Sequence, residues 1–82
     1  MLDEIRGQLQ QIIDTTTAGE LQAIQTVLDE LRGQLHQVAG TSANDDVRQA
    51  SRLFGIAHDK TGEAAQAAMQ AAEHVRSFSA VL

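Results

Sequence analysis

The chain carries one helical unit twice. Residues 2–12 read LDEIRGQLQQI and residues 28–38 read LDELRGQLHQV, with eight of the eleven positions identical. Polar positions match as well as apolar ones, so duplication of a unit with a period of 26 residues explains the likeness better than shared helical composition does. In both copies the apolar residues recur at intervals of three and four, the pattern of a helix that packs on another helix. The repeat therefore predicts packed helices, and it carries no catalytic motif.

The length of 82 residues allows one domain, residues 1–82, with a thin core. Of its 35 apolar residues, 13 are alanines, so little large apolar surface is available for burial. Proline is absent and 21% of the residues are charged, which favours long uninterrupted helices. A core of this size favours oligomerisation as a source of further stability.

Three helices are predicted, over about residues 2–15, 18–39 and 45–80. Three consecutive threonines at 15–17 are poor helix formers, and Thr17 with Glu20 fits a capping box, so we expect a kink there. Gly40 suits the position just after the second helix, and Asn44 or Asp45 is the expected cap of the third.

The predicted seam alternates in steps of three and four along both arms. On the first arm it comprises Leu2, Ile5, Leu9, Ile12, Leu21, Ile24, Leu28, Leu31, Leu35 and Val38. On the third helix it comprises Val47, Ala50, Phe54, Ala57, Thr61, Ala64, Ala68, Ala71, Val75, Phe78 and Leu82. The first two helices together match the third in length, which predicts an all-α antiparallel hairpin with a kinked first arm. The alternative is a three-helix bundle with the first helix folded over at the threonines.

Several apolar residues and glycines lie off this seam and are predicted to form an interface. In an isolated hairpin the apolar ones would face water, and an exposed apolar strip of this kind indicates a partner surface. The glycines would permit close contact with another helix. The predicted interface residues are Ile13, Val27, Leu53, Ile56, Met69, Gly7, Gly33, Gly55 and Gly62. The expected assembly is a twofold dimer that forms a helical bundle.

No residues with the spacing of a catalytic, metal or cofactor site are recognisable. His36, His58 and His74 lack metal-ligand spacing, and neighbours such as His58 and Asp59 should point to different faces of a helix. The net charge is −5 and the six Lys/Arg residues are scattered along the sequence, so nucleic-acid binding is not expected. We therefore predict a non-enzymatic protein without metal or cofactor, whose partner is protein.

The amino terminus, Met-Leu-Asp-Glu, is acidic where a signal peptide would be basic, and no apolar run has membrane-spanning length. We expect a cytoplasmic protein that does not insert into membranes. Export by a route that uses no cleaved signal peptide stays open.

An acidic, cysteine-free helical hairpin that turns at Val38-Ala39-Gly40 resembles the small Trp-x-Gly proteins of type VII secretion and the helical regions at the front of actinobacterial polymorphic toxins. Val38 stands where that family has its Trp, and Gly40 matches the family's glycine. The chain has no Tyr, so the family's C-terminal Tyr-x-x-x-Asp/Glu export signal is missing. The resemblance implies dimeric hairpins that act as secreted partners or adaptors.

The function predicted from the sequence is a helical protein–protein interaction module that self-associates and serves as an adaptor or partner subunit. The alternative is a regulator of the antitoxin or immunity type, which would occlude a basic or enzymatic partner with its acidic helices. Binding of a basic target that weakens with salt would favour the alternative, and salt-insensitive self-association would favour the first.

Overall fold

The computed structural model describes all 82 residues, which form three helices and no strand. Helix α1 spans Leu2–Asp14, α2 spans Ala18–Ala39 and α3 spans Asp45–Ala80. The predicted bounds agree except for one residue at the end of α1. Helix α3 is a single helix of 36 residues that continues through Gly62 despite the low helix propensity of glycine.

The helices form a long hairpin with α3 as one arm and α1 followed by α2 as the other. Both α1 and α2 pack along α3, and α1 does not fold over α2. The molecule measures 63 × 14 × 13 Å and its radius of gyration is 18.9 Å, whereas a compact domain of this length has about 12 Å. The predicted hairpin with a kinked first arm is confirmed, and the three-helix bundle is not formed.

Threonine hydroxyl groups close the end of α1 at the kink. Thr15 Oγ1 donates to the carbonyl oxygen of Gln11 at 2.9 Å, and Thr16 Oγ1 donates to that of Ile12 at 3.1 Å. The Gln11 carbonyl oxygen also accepts from Thr15 N–H at 3.0 Å, whereas Ile12 lies where regular backbone partners run out. The kink at residues 15–17 therefore follows from both the low helix propensity of threonine and its side-chain hydrogen bonds.

The capping box predicted at Thr17 and Glu20 does not form. Thr17 precedes α2 with φ −93° and ψ 17°, and its side chain makes no capping hydrogen bond. A side-chain cap requires an extended backbone at this residue, whereas Thr17 is close to helical because the chain passes from α1 to α2 with little interruption. Its carbonyl oxygen instead accepts from Leu21 N–H at 2.9 Å.

The turn at residues 40–44 uses a different set of caps. Asn44 has an extended backbone, and its Oδ1 accepts from the backbone N–H of Asp46 at 2.8 Å, so Asn44 is the cap of α3. Gly40 follows α2 in the right-handed conformation, with φ −64° and ψ −21°, and not in the left-handed one that favours glycine after a helix. A Cβ atom at Gly40 would instead collide with the carbonyl oxygen of His36, so the glycine provides space for a tight turn.

The core of α3 departs from the predicted seam in the second half of the helix. Ala65 and Ala72 are buried, whereas the predicted Ala64, Ala71 and Phe78 are exposed. A straight helix drifts by about 20° per heptad relative to a strict seven-residue repeat. At Ala64, about two and a half heptads after Val47, this drift is about 50°, half the angle between consecutive residues. One series of the predicted repeat therefore shifts by one residue, from Ala64 and Ala71 to Ala65 and Ala72, whereas Ala68, Val75 and Leu82 stay half-buried as predicted.

The first arm shows a similar displacement. Ile13 is buried at 8% exposure, whereas the predicted core residue Ile12 is exposed. In α2, the seam residues Ile24, Leu31 and Val38 are also exposed, and Val38 is 87% exposed. Only three residues of the whole chain are buried. Six of the ten predicted seam residues of the first arm thus lie at the surface of the hairpin.

Candidate interaction surface

The two long edges of the hairpin differ in chemistry. In α2, Val27 precedes the half-buried Leu28 and Asp29 follows it. Each residue is rotated about 100° around the helix axis from the one before it, so Val27 and Asp29 lie on opposite sides of Leu28. In α3, Leu53 and Gly55 flank Phe54 in the same order. Because the arms are antiparallel and face each other, the residues that precede core positions lie on one edge of the hairpin in both arms, and those that follow lie on the other.

The edge formed by the preceding residues carries large apolar side chains from both arms, with the polar residues Gln34, Asp46 and Lys60 among them. We call it the apolar face. Its large side chains are between 38% and 87% exposed. The apolar face comprises Ile5, Ile12, Ile24, Val27, Leu31, Val38, Leu53, Ala64, Ala71 and Phe78. It includes the exposed residues of the predicted seam except Leu2, so part of the apolar pattern in the sequence faces outward.

The five apolar residues of the predicted interface do not share one surface. Val27 and Leu53 lie on the apolar face. Ile56 lies on the outer side of α3, and Met69 lies on the polar edge, where its sulfur accepts from Gln22 Nε2 at 3.8 Å. Ile13 was expected to face water, and this is wrong, since it is buried beside a small cavity that Ala72 also lines.

The four glycines of the predicted interface fall into two pairs. Added Cβ atoms at Gly7 and Gly33 would have no neighbour within 4 Å, so these glycines lie on open surface. At Gly55 and Gly62 an added Cβ would instead meet side chains of α2, namely those of Arg32 and Gln25. The second pair thus accommodates α2 within the chain. A contact of any of the four with another chain stays a prediction.

Cationic side chains gather on the polar edge near the turn. A groove of about 420 Å³ lies between the end of α2 and the start of α3. We call it the arginine groove, because its lining residues include Arg32 from α2 and both Arg48 and Arg52 from α3. The six basic residues are scattered along the sequence, and the hairpin brings three of them together. The spacing of four between Arg48 and Arg52 was the one local signal of this arrangement.

The histidines and carboxylates form no larger cluster. His58 Nδ1 lies 3.1 Å from Asp59 Oδ1, so these neighbours meet although the sequence prediction placed them on different faces. Their side chains are long enough to bend toward each other across the 100° that separates them. No group of three or more potential metal-binding His, Cys, Asp or Glu residues occurs, and no buried polar side-chain atom lacks a hydrogen-bond partner.

Comparison of the chain with protein-family models, with curated proteins and with solved structures found no match in any of the three. None of the three helices combines the length and the apolar character needed to cross a membrane.

Proposed function

We propose that this chain is a non-enzymatic interaction module that self-associates through its apolar face. The observation that carries the proposal is the exposure of eight large apolar side chains on one edge of a hairpin that buries only three residues. Apolar surface of this extent is uncommon on a soluble monomer and is characteristic of a protein-binding surface. Pairing two such faces removes them from water in both chains.

The amount of exposed surface supports the same proposal. The hairpin has an accessible surface of 6163 Å², whereas a folded monomer of its mass, 8.8 kDa, has about 4,800 Å². The excess is about 1,400 Å² per chain. A stable interface of standard size buries about 800 Å² on each partner, so a second copy could cover much of this excess.

The expected assembly is a twofold dimer in which the apolar faces meet. A twofold axis places the same face of each copy against the other, and two hairpins then form a four-helix bundle. Both polar edges remain at the outside of this bundle, where they can contact other proteins. The proposal includes a role as an adaptor or partner subunit. That role includes one associated with secretion, as the family resemblance implies.

The direct test is the mass in solution, measured by light scattering over a range of concentrations, with circular dichroism on the same samples. We expect high helicity and about twice the mass of 8.8 kDa at the higher concentrations. The dimer should dissociate on dilution. Its dissociation constant should change little with salt, because apolar contacts are not screened by ions. A highly helical monomer at every concentration would contradict the proposal.

A further inference from the structure

We propose that the arginine groove binds the carboxylate groups of an acidic peptide segment from a protein partner. The groove lies on the polar edge, which the proposed dimer leaves exposed, so this inference does not depend on self-association. Its floor is the end of the interface between α2 and α3. Arg32 lines it from α2, and Arg48 and Arg52 line it from α3, one helical turn apart.

The three arginines have no carboxylate partner within the chain. The one ion pair within 4.0 Å joins His58 and Asp59, neither of which lines the groove. Asp29 lies beside Arg32 in an adjoining depression, but no carboxylate oxygen is within 4.0 Å of any of the three guanidinium groups. Three like charges in one groove repel each other, so bound carboxylates would replace repulsion by attraction.

One of these guanidinium groups is already oriented by a neighbouring residue, and a second has open space beside α3. Arg52 Nε and Nη2 both donate to Gln49 Oε1, at 3.2 and 2.9 Å, which fixes the plane of the group and leaves its other N–H donors free for a ligand. Arg32 Nη1 lies 3.4 Å from the position of an added Cβ at Gly55, so the absence of a side chain at Gly55 leaves room for Arg32 beside α3. A fixed, planar guanidinium suits bidentate binding of a carboxylate.

The surroundings favour carboxylates on a peptide over a single phosphate ion. Phosphate sites at helix starts use free backbone N–H groups, but at α3 the Asp46 N–H is already bonded to Asn44. Asp45 and Asp46 also place negative charge beside this helix start. The volume of about 420 Å³ falls within the range of sites that hold ligands much larger than one tetrahedral ion. Leu35 and Val47 in the lining offer apolar contact for the methylene groups of glutamate side chains.

The test is titration of the isotope-labelled chain with a capped pentaglutamate peptide, followed by nuclear magnetic resonance of backbone amide and arginine Nε–H groups. We expect saturable shifts confined to the groove, with Gly40 and Ser51 among the affected amides. Capped pentaglutamine should cause no such shifts. Raising the salt from about 50 to about 500 mM should weaken binding of pentaglutamate, because the exposed charges become screened.

Two double variants with the same net charge distinguish binding at the arginine groove from general electrostatic attraction between the peptide and the chain. Arg32→Gln/Arg48→Gln should weaken binding at least about tenfold, since each lost guanidinium removes a charge-assisted hydrogen bond. The control Arg6→Gln/Arg76→Gln changes the net charge equally, and Arg6 is the counterpart of Arg32 in the other copy of the repeat. It should bind within about twofold of the parent chain. Circular dichroism establishes that both variants fold.

Three outcomes would overturn the proposal. The first is shifts spread over the whole surface, and the second is equal weakening in the two double variants. The third is saturable binding of inorganic phosphate at the groove with no binding of pentaglutamate, which would assign the groove to phosphate.

Discussion

The side-chain nitrogen of Gln25 lies 2.6 Å from the position that a Cβ atom would occupy at Gly62, whereas an added Cβ at Gly33 has no neighbour within 4 Å. Gly33→Ala should therefore raise the free energy of unfolding by about 1 kcal/mol, the difference in helix propensity. Gly62→Ala should raise it by less, because the Gln25 side chain must move to another rotamer. Thermal unfolding at one fixed concentration checks this, with an expected increase of about 4–8 °C for Gly33→Ala.

The same pair of variants tests the predicted role of the glycines in contacts between chains. If Gly33 lies against another chain, an added methyl group would separate the two backbones. A decrease in stability or in dimer mass for Gly33→Ala would then show that this glycine contacts another chain, and the expectation of simple stabilisation would be wrong.

The caps of α2 and α3 should respond differently to truncation. Asn44→Ala removes the acceptor of the Asp46 N–H and should lower the free energy of unfolding by about 1 kcal/mol. Thr17→Ala removes no capping hydrogen bond and should lower it by less than about 0.5 kcal/mol. Chemical denaturation of both variants measures these changes. Asn44→Ser, which retains a good cap, serves as the control. An equal loss of unfolding free energy in the two alanine variants would indicate that the capping box at Thr17 forms in solution.

Ala65 is 2% exposed and fixes the distance between the arms, whereas Ala67 two residues later is exposed. Ala65→Leu should lower the free energy of unfolding by about 1–3 kcal/mol, because the added atoms force the helices apart. Ala67→Leu should change it by less than about 0.5 kcal/mol. Denaturation followed by circular dichroism distinguishes the two. Similar losses in both variants would contradict the assignment of the core to the Ala65 side of α3.

The helices and their order follow from local signals in the sequence. The absence of proline, the threonine run at 15–17 and the cap at Asn44 are enough to place the helix ends within one residue. The hairpin follows from the matching lengths of its two arms. The helix ends depend on residues that are close together in the chain, and the hairpin depends only on the number of residues in each arm, so both can be read from the sequence.

The faces of the helices depend on the angle between distant turns, and here the sequence prediction was less accurate. A strict heptad assigned Ala64 to the core, but drift over several turns placed Ala65 there instead. The arginine groove was missed because Arg32 is 16 residues before Arg48, and only the register of the hairpin brings them together. Thr17 shows a third limit, since a correct capping pattern fails where the backbone has no extended residue to support it.

The proposed dimer predicts different effects for two neighbouring apolar residues of α3. Leu53 lies on the apolar face and Ile56 on the outer side of the helix, although sequence analysis assigned both to the interface. Leu53→Glu would bury a carboxylate from each chain without a partner, so it should raise the dissociation constant at least about 100-fold. Ile56→Glu makes the same charge change at a surface that the dimer leaves in water. It should leave the dissociation constant within about threefold of the parent value.

Sedimentation velocity over a range of concentrations measures both constants, and thermal unfolding provides a second readout. Because the isolated hairpin buries only three residues, the dissociated Leu53→Glu chain should also unfold at a lower temperature than Ile56→Glu at equal concentration. If Ile56→Glu dissociates the dimer and Leu53→Glu does not, the interface lies on the outer side of α3. If neither variant changes the mass of a stable dimer, the apolar face is not the surface through which this chain pairs.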